Sequence, residues 1–167
     1  MGREHYGRAL RPHEALTAAG AGAGNVPMLI SSVTTLRLED IVKGGAAPKI
    51  YQLYVRGDDA FVEDVVGRTI DNGYASFCLT VDTAHYSRRE RDIAKRFVTA
   101  GRRRVQGRAF QAALDWRTVK RIKSRFKIPL AIKGIATAED AAIALDHGVE
   151  WIYVSNHGGR QLDHGRG

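Results

Sequence analysis

Residues 155–160 bring a hydroxyl, an imidazole and a guanidinium together within six positions, as Ser155, His157 and Arg160. They directly follow the apolar run 151–154, whose length and residue types predict a buried strand. An imidazole transfers protons near neutral pH, and a guanidinium can grip a carboxylate through two hydrogen bonds. The two glycines between His157 and Arg160 would let the backbone pass close to a ligand. This set predicts a site that takes a proton from an anionic substrate.

Five short apolar runs recur along the chain, at residues 28–31, 49–54, 75–81, 130–133 and 151–155. Most are rich in Ile, Val, Leu or aromatic residues and too short for helices, which predicts buried strands. Helical patterns separate them, so we predict an α/β fold with parallel strands and right-handed crossovers.

The helical patterns carry recognisable start and stop signals. Predicted caps are Thr34 or Thr35 for a helix to about Lys43, Asp58 with Asp59, Asp115, and a capping box at residues 137–140. Residues 6–19 form a possible helix with a break near Pro12, and the glycine-rich segment 20–24 predicts a flexible stop. Residues 93–113 form the longest irregular connection.

Every predicted strand ends in polar groups: Ser31, Gln52 with Tyr54, Thr80 with Asp82, Lys133, and Ser155 with His157. In an open doubly wound sheet, ligands gather near one switch point, whereas a (β/α) barrel brings all strand ends to one face. Polar ends on all five strands therefore favour a barrel. Taken singly, Ser31 and Thr80 are better explained as caps of the turns that follow.

Two of these residues are hard to explain structurally. Gln52 lies within an apolar strand, where a buried amide needs partners, and buried lysines such as Lys133 are rare unless paired or functional. Asp82, at a neighbouring strand end, could orient His157 and stabilise an imidazolium there. Arg89 could grip a carboxylate, although its arginine-rich surroundings equally suit a solvated loop.

Composition sets outer limits on function. The chain has 167 residues, of which 44% are hydrophobic, a length and content typical of one globular domain. It lacks an apolar run of about 18 residues or a secretory signal, and Cys78 is its only cysteine, so we expect a cytoplasmic protein with no membrane partner. The net charge of +8 comes without a recognisable nucleic-acid module, and we expect no nucleic-acid partner.

The segment Ser-Asn-His-Gly-Gly-Arg-Gln-Leu-Asp at 155–163 resembles the signature of the FMN-dependent α-hydroxy acid dehydrogenases and oxidases, which include glycolate-, lactate- and mandelate-oxidising enzymes. Further motifs in the family's order are Gln52-Leu53-Tyr54, Leu79-Thr80-Val81-Asp82-Thr83, Arg88-Arg89-Glu90, Ile132-Lys133-Gly134 and Thr137-Ala138-Glu139-Asp140-Ala141. Several motifs in order are far more specific than any one. The chain is identified as a member on that basis.

The resemblance implies a role for each matching residue. His157 matches the active-site base, Asp82 its carboxylate partner, and Lys133 the lysine beside the flavin pyrimidine edge. The substrate-binding matches are Arg89 and Arg160, for the carboxylate, and Tyr54. The residues matching FMN contacts are Ser31, Gln52, Tyr54, Thr80, Lys133 and Ser155. The implied reaction oxidises a small 2-hydroxy acid to the 2-oxo acid with FMN and no metal, the substrate and the final electron acceptor being left open.

The resemblance also implies an incomplete domain. Residues 1–167 look like strands two to six of an eight-stranded TIM barrel, with 1–24 matching the family only loosely. We therefore expect an inactive or weakly active fragment that binds FMN weakly or not at all and has negligible turnover, with open edges at the strands that begin at Met28 and Trp151. Complete relatives are commonly tetramers, so a homo-oligomer is possible. Residues 93–113 contain no long apolar stretch, which argues against the membrane-binding insertion of some relatives.

Two other functions stay open from the sequence. One is another barrel enzyme, such as the FMN-dependent type 2 isopentenyl diphosphate isomerase or a phosphate-binding aldolase. The argument against another barrel enzyme is the residue set: Asp82 with His157 suits proton abstraction, and Arg89 with Arg160 suits a substrate that carries a carboxylate. The other is a non-catalytic half-barrel that oligomerises, which predicts a stable assembly without flavin.

Overall fold

The computed structural model describes residues 11–34, 36–85, 90–96, 108–159 and 161. Within them lies one sheet of five parallel strands: β1 Met28–Ser31, β2 Lys49–Leu53, β3 Ser76–Thr80, β4 Leu130–Ile135 and β5 Trp151–Val154. Each strand pairs with the next one in the chain, in the order β1-β2-β3-β4-β5. A doubly wound sheet would reverse direction at a switch point. The sequential order is instead that of a barrel wall, as the polar strand ends predicted.

Seven α-helices are described: α1 Arg11–Ala23, α2 Leu38–Ile41, α3 Asp59–Asp71, α4 Glu90–Ala94, α5 Arg108–Ala112, α6 Trp116–Arg125 and α7 Ala138–Asp146. Three predicted caps are confirmed by hydrogen bonds to the first turn. Asp58 accepts from the backbone N–H of Phe61 at 3.0 Å, and Thr137 from that of Asp140 at 3.1 Å. Asp115 accepts from the N–H of Arg117 at 2.9 Å. None of the described helices is long and apolar enough to cross a membrane.

The predicted cap of α2 is wrong. This helix begins at Leu38, its N-cap is Arg37, and no side chain caps it. Thr34 belongs instead to the turn after β1, where its N–H donates to the carbonyl of Ser31 at 3.1 Å; Thr35 lies outside the described residues. After Ile41 the chain tightens into a 3₁₀ turn, Val42–Gly44, so the regular helix is shorter than its apolar pattern suggests.

The predicted stop of the first helix at Ala19 is also wrong, because α1 continues to Ala23. Gly22 lies where a Cβ would come within 3.1 Å of the backbone nitrogen of Ala46. The glycine therefore allows the turn before β2 to approach the helix closely. Two residues after the end of α1, Asn25 has a left-handed φ of 51°, a conformation common where a helix stops. Of the segment 93–113, predicted to be irregular, the described residues contain the end of α4 and all of α5, and residues 97–107 lie outside the described part of the chain.

The sheet separates an apolar face from a polar one because side chains alternate along each strand. Leu53, Leu79 and Ile132 are paired across β2, β3 and β4 and belong to the buried cluster formed with the helices. The intervening positions on the opposite face carry Gln52, Cys78, Thr80 and Lys133. The helix-covered face therefore carries the apolar core, and the other face carries four of the polar or sulfur-containing side chains of these strands.

Candidate active site

His157 and Asp82 form the central pair of the polar face. Nδ1 of His157 lies 2.5 Å from Oδ2 of Asp82. A carboxylate only accepts hydrogen bonds, so the imidazole proton belongs on Nδ1, and Nε2 presents a lone pair. The two side chains are 18% and 11% exposed, and partial exclusion of water strengthens a charge-assisted bond of this kind.

Tyr54 contacts the other ring nitrogen. Its hydroxyl lies 2.9 Å from Nε2 of His157. With the proton on Nδ1, the tyrosine hydroxyl is the donor in this bond. The backbone N–H of Tyr54 donates to the hydroxyl of Ser32 at 3.0 Å, which fixes the end of β2 against the turn after β1. His157 is therefore held on both nitrogens by residues from two other strand ends.

Lys133 places a cation beside the imidazole. Its Nζ lies 3.1 Å from the hydroxyl of Ser155, 3.4 Å from Nε2 of His157 and 4.0 Å from Oδ1 of Asp82. The side chain is only 12% exposed, and a lysine that far from water needs an opposite charge nearby, which Asp82 supplies. The site thus contains one carboxylate, one ammonium and one imidazole in mutual range.

Gly134 makes room for this arrangement. Its φ is 110°, and a Cβ at this position would lie 2.5 Å from Cγ of Asp82. The register of β4 against β5 also shifts between Lys133 and Ile135. Only glycine combines this backbone conformation with that close approach. The sequence did not reveal that Gly134 would have a positive φ; it showed only that this glycine follows Lys133 in the motif Ile132-Lys133-Gly134.

The backbone around His157 is itself unusual. His157 has a φ of 56°, followed by 68° and 70° at Gly158 and Gly159. A left-handed conformation is costly for a residue with a side chain and tends to occur at functional sites. The N–H of His157 donates to the hydroxyl of Ser155 at 3.1 Å, and that of Gly159 to the side-chain oxygen of Asn156 at 3.0 Å. These bonds hold the strained turn that carries the imidazole.

Gln52 and Thr80 form a buried pair on the same face. The amide nitrogen of Gln52 donates to the hydroxyl of Thr80, and the two residues are 3% and 0% exposed. Thr80 therefore does not act as the turn cap that its position suggested. Ser31 stays apart from the pair: its hydroxyl accepts a long bond of 3.4 Å from the N–H of Val33, as a turn residue would.

Gln111 is a buried polar residue that the sequence did not single out. It is 2% exposed, and both ends of its amide bind backbone at the ends of β2 and β3. Two buried oxygens that follow β3, Oδ1 of Asp82 and Oγ1 of Thr83, have no hydrogen-bond partner within the described part of the chain.

Arg89 and Arg160, the predicted carboxylate-binding residues, lie outside the described residues.

Cys78 lies on the polar face, where the strand register pairs it with Gln52 of β2 and Ala131 of β4. It is fully buried, and burial raises the pKa of its thiol to about 12, with the nearby charge of Lys133 working weakly in the opposite direction. The thiol is therefore protonated at neutral pH and behaves as a small apolar filler.

Comparisons with known proteins agree on one family. Residues 6–167 match the family model of the FMN-dependent dehydrogenases. Glycolate oxidase 1 of Zea mays is 35% identical over 173 aligned residues, which cover 90% of this chain and 47% of the relative. A peroxisomal (S)-2-hydroxyacid oxidase of Arabidopsis thaliana is 33% identical with the same coverage.

Solved structures show the same likeness. A mandelate oxidase variant with benzaldehyde superposes with a TM-score of 0.80 at 34% identity, covering 94% of this chain and 47% of the other. The flavin-binding domain of baker's yeast flavocytochrome b2 gives a TM-score of 0.81 at 32% identity, covering 93% of this chain and 41% of the other. The chain thus spans about half the length of the proteins it matches.

Proposed function

The chain belongs to the FMN-dependent dehydrogenase family, and from that premise we propose that it carries the proton-transfer part of an enzyme that oxidises a small 2-hydroxy acid to the 2-oxo acid. The observation that carries the proposal is His157, held by Asp82 on one ring nitrogen and by Tyr54 on the other. Relatives described as glycolate and 2-hydroxyacid oxidases support the substrate class. Because the chain covers about 47% of these relatives, the activity of the whole enzyme is part of the proposal.

The polar face suits the ring of FMN. The pyrimidine edge of a flavin presents oxygen and nitrogen acceptors, and needs donors and a cation opposite them. Lys133 supplies the cation. Ser155 accepts bonds from Lys133 and from the N–H of His157, so its own hydroxyl proton is left to donate. We propose that these two residues, with Gln52 and Thr80, hold the ring, and that Ser31 and Tyr54 contribute contacts.

The proposed reaction uses the two nitrogens of His157 differently. Nδ1 is committed to Asp82, so the substrate proton goes to Nε2. The Tyr54 hydroxyl then turns its hydrogen bond from Nε2 to the substrate. Asp82 offsets the positive charge that the imidazolium acquires, which lowers the barrier to proton removal.

The remaining steps complete the balance. The 2-hydroxy acid loses two electrons and two protons to become the 2-oxo acid; His157 takes one proton, and FMN, when bound, would supply the acceptor for the two electrons and the second proton. We propose that Arg89 and Arg160 hold the substrate carboxylate, because a guanidinium pair matches that group in charge and geometry. The resulting preference is for small 2-hydroxy acids such as glycolate, lactate or mandelate.

Anaerobic mixing of the purified chain with saturating FMN and each 2-hydroxy acid tests the proposal. Reduction is followed as loss of the visible absorption of oxidised flavin. We expect weak FMN binding and slow, substrate-dependent reduction that disappears in His157→Ala. The matched control is His147→Ala, since His147 stacks on Trp116 in the helix layer. Equal reduction by the unchanged chain and by His157→Ala would contradict the proposal.

A second candidate is a non-catalytic half-barrel that pairs with another copy of itself. Exposed apolar side chains on both edge strands favour it: Leu29 of β1 is 40% exposed, and Tyr153 and Val154 of β5 are 44% and 74% exposed. This function predicts a stable oligomer that forms without flavin and reduces none. Size-exclusion chromatography with and without FMN, beside the reduction assay, separates the two.

A further inference from the structure

Gln111 joins the ends of two strands through both halves of its amide. Its Oε1 accepts a hydrogen bond from the backbone N–H of Val55, and its Nε2 donates to the backbone carbonyl of Thr80, each at 2.7 Å. The two bonds need opposite ends of the amide, so they fix its orientation as well as its position. At 2% exposure, the amide has exchanged water for these two backbone partners.

The bridge lies where β2 and β3 stop pairing with each other. Their last register pair is Leu53 with Leu79. Beyond it, the Val55 N–H and the Thr80 carbonyl both bind Gln111 instead of the neighbouring strand. On its other side the end of β3 still pairs with β4, where the N–H of Val81 donates to the carbonyl of Lys133 at 2.9 Å. The Gln111 amide therefore bridges β2 and β3 just beyond their last backbone pair.

The two residues that hold His157, Tyr54 and Asp82, lie close in the chain to the two backbone groups that Gln111 binds. Tyr54 directly precedes Val55, and its hydroxyl lies 2.9 Å from Nε2. Asp82 comes two residues after Thr80, and its carboxylate lies 2.5 Å from Nδ1. The spacing between the two strand ends thus sets the spacing between the two partners of the imidazole.

We infer that Gln111 is a positioning residue, which holds Tyr54 and Asp82 at the distance that the His157 ring requires. It acts through backbone and touches none of the reacting groups. The inference deepens the proposed function, since it rests on His157 as the base. A shift of about 1 Å in a catalytic group can cost two orders of magnitude in rate. A side chain that fixes the spacing of Tyr54 and Asp82 would therefore help to keep the rate of proton transfer high.

The residue type follows from the two bonds. A glutamate would keep the acceptor for Val55 but set a carboxylate oxygen against the Thr80 carbonyl, which repels it. An asparagine carries the same amide on a side chain one methylene shorter, and so reaches one partner at most. Gln111→Glu and Gln111→Asn therefore break the link in different ways, the first at nearly unchanged side-chain volume and the second at unchanged charge.

The test observes the His157 ring by NMR in the ¹⁵N-labelled 167-residue chain without FMN or substrate. The Nδ1 proton, donated to Asp82, should give a far-downfield and slowly exchanging signal. We expect Gln111→Glu and Gln111→Asn to lose this signal while circular dichroism still shows a folded chain. The matched control is Thr69→Val, which removes another buried hydrogen bond, that of the Thr69 hydroxyl to the Val65 carbonyl at 2.7 Å in α3, and should keep the signal.

Either of two results would overturn the inference. In the first, the Gln111 variants fold and keep the His157 signal of the unchanged chain. In the second, neither variant folds although Thr69→Val does, which would make Gln111 a residue of the fold alone. The assay contains no flavin, so its result is separate from the failure of the proposed function, which is judged by flavin reduction in His157→Ala.

Discussion

His157 and Asp82 are 75 residues apart in the chain, yet their side chains meet at 2.5 Å over the end of β4. Their strands do not pair with each other, since β3 and β5 both flank β4. The bond therefore passes over the one residue of β4 at that level, Gly134, whose missing side chain leaves the space that Asp82 fills. Sheet order, strand register and one glycine together create the pair.

Replacing Asp82 with asparagine should uncouple the pair with little change in shape. An amide in place of the carboxylate no longer stabilises a positive charge on the ring, and it offers Nδ1 a donor as readily as an acceptor. We expect flavin reduction to slow by roughly 10²–10⁴-fold. Anaerobic reduction rates measure this effect, with far-UV circular dichroism as the check on folding. An Asp82→Asn chain that reduces flavin at the original rate would exclude Asp82 from the proton transfer.

Gly134→Ala should displace Asp82. The added Cβ would lie 2.5 Å from Cγ of Asp82, and the φ of 110° strains any residue with a side chain. We expect a loss of at least about 1–2 kcal/mol in the free energy of unfolding, on the order of the cost of an unfavourable backbone conformation. Urea denaturation measures it, and the downfield His157 signal should disappear as well.

Gly67→Ala is the matched control for that substitution. Gly67 lies inside α3, and apart from its own stretch of helix, no atom of the described residues lies within 4 Å of the position that a Cβ would take. Alanine in a helix interior is favoured over glycine by about 0.5–1 kcal/mol. Gly67→Ala should therefore stabilise the chain slightly, and equal effects of the two substitutions would show that Gly134 has no special role.

The sequence predicted the elements with strong local signals. The five strands appear within two residues of their predicted limits, and Asp58, Asp115 and Thr137 cap helices as expected. In each case the signal is local, because a run of apolar residues or a cap depends on its immediate neighbours. The same holds for the polar strand ends, which a parallel sheet must bring to one side.

The failures come from contacts that only the fold creates. Glycines in α1 looked like a stop, but Gly22 is needed for the approach of Ala46. Gln111 lies in a polar, arginine-rich segment and gave no sign that both ends of its amide would bind backbone. No local sequence pattern indicates either feature, because each depends on a partner dozens of residues away in the chain.

The thiol of Cys78 should report on the integrity of the sheet. It is fully buried on the polar face, and burial raises its pKa to about 12. At pH 8 the native thiol is then both inaccessible and protonated, so it should react with an aromatic disulfide reagent far more slowly than the denatured chain. Fast labelling of the folded chain, at the rate found in denaturant, would mean that the centre of the sheet opens readily.

Glu150 should make part of the stability depend on pH. Burial opposes its ionisation, but hydrogen bonds from Lys123 and from the backbone N–H of Leu130 outweigh this and lower its pKa below the ordinary 4.5. The carboxylate lies 2.5 Å from Nζ of Lys123 and 2.7 Å from the nitrogen of Leu130, so it ties α6 to the start of β4. The ionised form is therefore the one that the fold favours.

The sign of the effect follows from that direction. A carboxyl whose pKa is lowered by folding contributes stability that is fully present above its unfolded pKa and is lost as the pH falls through its folded pKa. Glu150→Gln should therefore be less stable than the unchanged chain at pH 7, and the difference should shrink as the pH falls below 4.5. Because the side chain is 44% exposed, solvent screening keeps the effect small. Thermal unfolding of Glu150→Gln and of the unchanged chain between pH 7 and pH 3 measures it. A constant difference between Glu150→Gln and the unchanged chain across this range would show that the ionised carboxylate does not stabilise the fold.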